Sequence, residues 1–199
     1  GRNGDAGAMS LESLNRNTLT RICDADQRAI RFFETLTDTV QGLEGGRQTV
    51  PTPSGSTLDL SGIPEWANEI TIAFDGLTLS GAANILVQMG TVSGLEVTGY
   101  ASTSLFTNGG AVGAANSDAG FVIWASVGTL PLRGIMTLTR FAAGENAWLA
   151  THSTQISTTQ GAQGAGGAKL LAGALTSLTI GQTGAATFTG GRVSINYRR

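Results

Sequence analysis

The apolar residues of this 199-residue chain change period once, and that change divides what it can fold into. Up to residue 44, Leu19, Ile22, Ala29, Phe33, Leu36, Val40 and Leu43 keep a 3-4 spacing, with Asp26 the one polar residue in the seam. Such a stripe belongs to a helix whose apolar face needs a partner. From residue 58 the period is two. Ile70, Ile72 and Phe74 alternate with Glu69, Thr71 and Ala73, and Ile85, Val87 and Met89 alternate with Leu86 and Gln88. Those are strands covered on one face, and a strand-period segment cannot continue a helix. The pattern therefore predicts a helical segment followed by a β domain.

Residues 10–44 form the helical part. Ser10 can cap the first turn, and Gly42, Gly45 and Gly46 end the pattern. Asp24-Ala25-Asp26-Gln27 also reads as a helix start, which leaves two versions open. One is a continuous helix with Asp26 as a polar layer in a bundle; the other is two helices with a cap at Asp24 or Asp26. Residues 45–57 include two prolines, Pro51 and Pro53, and read as an extended linker. Residues 58–199 then hold strands near 70–74, 85–89, 94–100, 120–125, 134–141, 147–152, 176–181 and 192–197, with turns at Asp75-Gly76, Ser80-Gly81 and Gly144-Glu145-Asn146. Eight or nine short strands without a helix predict a mainly β domain, a β-sandwich of jelly-roll type. Two glycine-rich, almost uncharged segments, 107–120 and 158–168, read as loops.

The chain opens on three whole Gly-X-Y triplets, Gly1-Arg2-Asn3, Gly4-Asp5-Ala6 and Gly7-Ala8-Met9. Glycine at every third place is what the crowded axis of a collagen triple helix requires. Residues 1–9 are therefore a collagen-like stub, next to a stem that also asks for partners, and together they predict a homotrimer at the distal end of a longer fibrous molecule.

Charge narrows the function classes. The net charge is −2, and six basic stand against seven acidic residues in both 1–47 and 58–199. No basic stripe serves nucleic acid and no polybasic segment anchors a membrane. No run of eighteen apolar residues predicts membrane insertion. With charged residues at 13%, about half the usual fraction of roughly 25%, Ser, Thr, Asn, Gln and Gly must cover most of the surface. A single Cys23 and a single His152 leave neither an intrachain disulfide nor a Cys/His zinc site, and no cofactor is expected.

Catalytic parts are equally scarce. A Ser-His-Asp relay would have to use His152, which no G-x-S-x-G elbow precedes and which reads as a surface or strand-end residue. Glu65 and Glu69 flank the first strand of the alternating pattern and read as solvated, so no facing carboxylate pair for glycoside hydrolysis is visible. Asn116-Ser117-Asp118 has too few acids for a calcium site of six to eight oxygens. The chain is not expected to be an enzyme. Sugar recognition needs aromatic platforms with Asn, Asp and loop backbone around them, and for this Tyr100, Asn108, Asn116, Asp118, Asn146 and Trp148 are the candidates, while Trp66 and Trp124 read as core.

The β segment is recognisable as a whole. IPEWANEITIAFDGLTLSGAANILVQMG at 63–90, SGLEVTGYAS at 93–102, GIMTLTRFAAGENAWLATHS at 134–153 and LLAGALTSLTIGQTGAATFTGGRVSINY at 170–197 resemble a recurring C-terminal domain of tailed-phage fibre and virion structural proteins. The carrying residues are Ile63, Pro64 and Trp66, then Phe188, Gly191, Val193 and Ile195 in a closing strand pair. ICDADQRAIRFFE at 22–34 looks like the helical leader of small phage tail proteins. The resemblance implies a virion location and, as partners, further copies of the chain, other virion tail proteins and a bacterial surface receptor, a glycan more than a protein. It implies a receptor-binding tail-fibre component, with a structural or decoration protein of the virion as the alternative.

Overall fold

The computed structural model describes residues 30–36, 46–50, 53–108, 111–125, 129–156 and 161–199. The chain forms two compact units, Gly1–Glu44 and Gly45–Arg199. In the first, residues 30–36 are helical, with Ile30 buried, Phe32 and Leu36 exposed, and the Thr35 hydroxyl donating to the Arg31 carbonyl one turn back at 2.8 Å. Phe33 and Leu36 thus lie on a helix, as the 3-4 spacing requires. The other stem positions, Leu19, Ile22, Ala29, Val40 and Leu43, and the Gly-X-Y triplets of 1–9 lie outside the described residues.

The second unit is built of strands. In chain order they are β1 (Gly46–Val50), β2 (Leu58–Ser61), β3 (Glu69–Leu79), β4 (Ile85–Thr91), β5 (Gly94–Glu96), β6 (Tyr100–Asn108), β7 (Ala111–Ser117), β8 (Phe121–Ile123), β9 (Leu132–Arg140), β10 (Ala147–Ile156), β11 (Ala162–Leu170), β12 (Ser177–Gln182) and β13 (Phe188–Arg198). An eight-stranded sheet runs β1-β13-β3-β9-β10-β11-β6-β7, and a five-stranded sheet runs β2-β12-β4-β5 with β8 also on β4. Every pairing is antiparallel, which lets each sheet cover one face and leave the other to solvent. Ile70, Ile72 and Phe74 of β3 meet Val87, Met89, Leu178 and Ile180 of the smaller sheet in one buried cluster. This layering is compatible with the expected β-sandwich, though the described residues form thirteen strands in place of eight or nine.

Three expectations change. Gly46–Val50, inside the predicted linker, is a strand that pairs with β13 from Gly46↔Tyr197 to Val50↔Val193. Its Gln48 and Val50 alternate with Arg47 and Thr49, a signal too short to read beside two prolines. Asp75-Gly76 is a bulge inside β3, not a turn: the register against β9 shifts between Asp75 and Leu77, and Gly76 takes a φ of 71°. The glycine-rich segments 107–120 and 158–168 are largely β7 and β11. Among the described residues no helix is long and apolar enough to cross a membrane.

Candidate functional site

The two glycine-rich strands flank β6 in register, Gln163↔Phe106 to Lys169↔Tyr100 on one side and Ser102↔Ser117 to Asn108↔Ala111 on the other. Glycine is placed there by packing. A Cβ on Gly113 would overlap the Phe106 ring, and one on Gly167 would come within 2.8 Å of the Phe121 ring. Phe106 in turn stacks on Trp124 with ring centres 3.9 Å apart and planes 11° apart. Aromatic rings from β6 and β8 therefore lie against bare backbone, and the strands gain from ring contact what they lack in side chains.

On the other face the same strands present small polar groups. Thr103 donates its hydroxyl to Asn116 Oδ1 at 2.7 Å across the β6–β7 pair. Asp118, in the turn after β7, accepts the Tyr100 N–H through its backbone carbonyl at 3.0 Å and leaves its carboxylate exposed. Ala101, Thr103, Asn116, Ser117, Asp118 and Gly166 border a shallow depression open to solvent. Its groups are hydroxyl, amide and one carboxylate over a floor of Ala and Gly, and no basic side chain lines it. Such a surface can hydrogen-bond a polyol along a broad front, and it has nothing to hold a polyanion.

Of the six predicted contact residues, Asn116 and Asp118 meet here. Asn146 belongs to the same end of the sheet, since its carbonyl accepts the Leu171 N–H at 3.0 Å beside the Ala147↔Leu170 pair. Asn108 closes β6 at the opposite end, and its side chain lies outside the described residues. Tyr100 and Trp148 are corrections: both point into the core, at 4% and 1% exposure, so neither offers a ring face to a ligand. Tyr100 packs edge-on against Phe121, accepts the Met89 N–H at 2.7 Å and donates to the Glu96 carbonyl at 3.0 Å. Burial first, with the Glu96 charge adding to it, pushes its phenol up to about 12. Trp66 and Trp124 are core-packed as expected.

Behind the depression the core is polar, which alternation of apolar residues did not reveal. Lys169, in the glycine-rich strand β11, turns inward, meets Glu96 at 2.6 Å and lies 5.2 Å from the Tyr100 ring centre. Burial raises the Glu96 carboxyl, but the hydrogen bonds from Lys169 and the Ala172 N–H outweigh it and hold it below the usual carboxylate range. His152 is buried within β10 and not at the surface or a strand end, a second correction. Its Nε2 stands 3.1 Å from Ser104 Oγ and its Nδ1 3.3 Å from Thr154 Oγ1, and the Thr154 hydroxyl donates to Gln163 Oε1 at 2.8 Å. A Ser–His pair invites a hydrolase reading. Here Ser104 is fully buried, its oxygen already accepts the Trp124 N–H at 3.1 Å, and a threonine stands where a relay needs a carboxylate. The pair is structural. The strict inward parity of β10 would have found His152, because Ala150, His152, Thr154 and Ile156 share one face.

Among the described residues no three His, Cys, Asp or Glu side chains gather as metal ligands would. No protein-family model matches the chain, and no curated protein matches it either.

Proposed function

We propose that this chain is the distal part of a phage tail fibre or similar virion appendage, trimeric through its helical stem, whose β head attaches the particle to a glycan on the bacterial surface. The observation that carries the reading is the meeting of Thr103, Asn116 and Asp118 around one open, hydroxyl- and amide-bordered depression at the β7 edge. The resemblance supports it as well: Phe188, Val193 and Ile195 fall in the closing strand β13, and Ile63 with Trp66 packs at the core. Avidity supplies the physical logic. Three heads on one stalk turn a weak sugar contact into lasting attachment through effective concentration, so a shallow site suffices.

Binding of the labelled chain to intact bacteria of the host range tests this. The chain should decorate cells, periodate treatment of the surface should abolish the signal, and Asn116→Ala/Asp118→Ala should lower it by about tenfold or more because each weakened site is counted in every head. A chain that decorates no susceptible strain overturns the receptor-binding reading and leaves the structural or decoration role.

A further inference from the structure

The outward side of β11 is a strip of small residues, Ala162, Gly164, Gly166 and Ala168, between two taller strands. The register sets Ser153 and Thr151 of β10 beside Gly164 and Gly166 on one flank, and Leu105 and Thr103 of β6 beside the same two glycines on the other. Open depressions follow one another along this strip. One is bordered by Arg133, Ser153, Gln155 and Ala162, the next by Leu105, Ala162 and Gly164, and the last by Gly166 and Thr103, where Asn116 and Asp118 meet. Ala162 is common to the first two, and Gly164 is next to Gly166 on the same side of the strand, so they form one groove. The fold does not ask for glycine on its floor. Neither Gly164 nor Gly166 takes a positive φ, a Cβ on Gly166 would meet nothing within 4 Å, and one on Gly164 would make an ordinary contact with the His152 carbonyl at 3.8 Å. Glycine inside a strand costs conformational entropy and packs nothing. What these two supply is bare backbone that another molecule can approach closely.

From this we infer that the groove over β11 holds a single unbranched, uncharged polysaccharide chain laid along the strand, an inference that rests on the receptor reading above and extends its site beyond Asn116 and Asp118. Size supports it. From Ala162 to Ala168 the floor runs about 20 Å at about 3.3 Å per residue, and its walls stand about 10 Å apart, two strand spacings. That admits several sugar rings end to end and one abreast, which suits a chain better than a terminal sugar. Chemistry agrees. A pyranose ring carries C–H groups on its faces and hydroxyls on its rim. The faces settle on glycine backbone and against Leu105, 59% exposed, while the hydroxyls of Ser153, Thr151 and Thr103 meet the rim. Charge narrows the class. Arg133, at the edge of the groove, lies 3.7 Å from Asp75, which answers its charge. An anionic chain would therefore meet no unpaired cation among the described residues that border the groove. Asp118, at the other end, accepts hydrogen bonds from sugar hydroxyls.

The test uses the full chain, intact bacteria of the host range and Gly164→Val/Gly166→Val, which fills the floor. Valine suits an extended strand better than glycine, so this variant should melt no lower than the native chain. Its decoration of cells should nevertheless fall about tenfold or more, since each blocked groove is counted in every head. Thr71→Val, on the outward side of β3, should change neither. Thr151→Ala/Ser153→Ala keeps the floor, removes two wall hydroxyls and should lower decoration several-fold at an unchanged melt, which decides the matter even where the valine variant folds poorly. Surface polysaccharide released from a decorated strain and cut to graded lengths should compete with the cells only once its fragments fill the groove. Competition by single sugars equal to that of long fragments overturns the inference. So does decoration that survives periodate and is lost after protease treatment of the cells, which would make the occupant a protein. Native decoration by both groove variants overturns the groove and leaves the receptor reading at Asn116 and Asp118 standing, whereas a chain that decorates no susceptible strain overturns both.

Discussion

His152 Nε2 lies 3.1 Å from Ser104 Oγ inside the core, and the two atoms fix which form of the imidazole the fold accepts. The Thr154 hydroxyl proton goes to Gln163 Oε1, so toward the ring Thr154 can only accept, and the bare Nε2 takes the hydroxyl of Ser104, whose oxygen also accepts the Trp124 N–H. Nδ1 then carries the proton and donates to Thr154, whose hydroxyl donates to Gln163. Each link is satisfied only with a neutral ring. A second proton on Nε2 would turn the Ser104 hydroxyl away from its partner in a buried site.

Acid should therefore unfold this head through His152. Burial pulls its pKa from the ordinary 6.5 down to about 4, and the Val122 backbone works the other way without offsetting it. The unfolded chain takes up a proton near 6.5 and the folded one only near 4, so stability is full above 6.5, falls as pH drops through that window and levels off below it. At roughly 1.4 kcal/mol per pH unit the loss amounts to about 3 kcal/mol. Urea denaturation at pH 7 and pH 4 should show it for the native chain. His152→Gln should start less stable at pH 7 and lose about 3 kcal/mol less on acidification. An equal loss in both would assign the acid sensitivity to other groups.

Adjacent glycines of β11 should respond in opposite ways to the same substitution. Gly167 faces inward, where a methyl would approach the Phe121 ring at 2.8 Å and the Ala101 carbonyl at 2.9 Å. Gly167→Ala should cost about 1–3 kcal/mol, as overpacking does. A methyl on Gly166 meets nothing within 4 Å. Gly166→Ala should be neutral or stabilise by about 0.5 kcal/mol, through a less flexible unfolded chain. Thermal melts of the two variants decide, and equal destabilisation would mean that β11 does not pack under Phe121.

That contrast also marks the limit of the sequence signal. Strands with a period of two in large apolar residues, such as Ile70-Thr71-Ile72-Ala73-Phe74, were legible because the side chains themselves carry the pattern. β7 and β11 were not, because their inward positions hold Gly113, Ala115, Ala165 and Gly167, and the apolar bulk that fills the space belongs to Phe106 and Phe121 on other strands. Tyr100 and Trp148 were misplaced for a related reason. Each stands at the first or second residue of its strand, where the alternation has too few neighbours to show which way it points. Asn116 and Asp118 were found by residue type, and their meeting with Thr103 came from a register that no local pattern states.

The stem makes a separate claim, tested apart from the head. Phe33 and Leu36 lie in the helical residues 30–36, and the 3-4 spacing places them in the seam. Phe33→Asp/Leu36→Asp should lower the mass measured by light scattering if helices from several copies bury that seam, since an acid at each such position would be desolvated or repelled by its copies. An unchanged mass would remove the stem as an oligomerisation element.

The Lys169–Glu96 pair should behave as a buried ion pair does, asymmetrically. The two side chains are 7% and 19% exposed, and each has support beyond the other: Lys169 from the Tyr100 ring, Glu96 from the Ala172 N–H at 2.8 Å. Lys169→Met keeps the stem of the side chain but leaves a carboxylate short of its cation in a largely dry place, and should cost about 3 kcal/mol. Glu96→Leu alone strands the ammonium and should cost a similar amount. Together the two substitutions remove both charges and should recover most of the loss, because the attraction in such a pair mainly repays its own desolvation. A double-mutant cycle by urea denaturation reads the coupling. Additive losses would mean that Lys169 and Glu96 contribute through packing alone, and the cation beside Tyr100 would then be incidental to the stability of this end of the sheet.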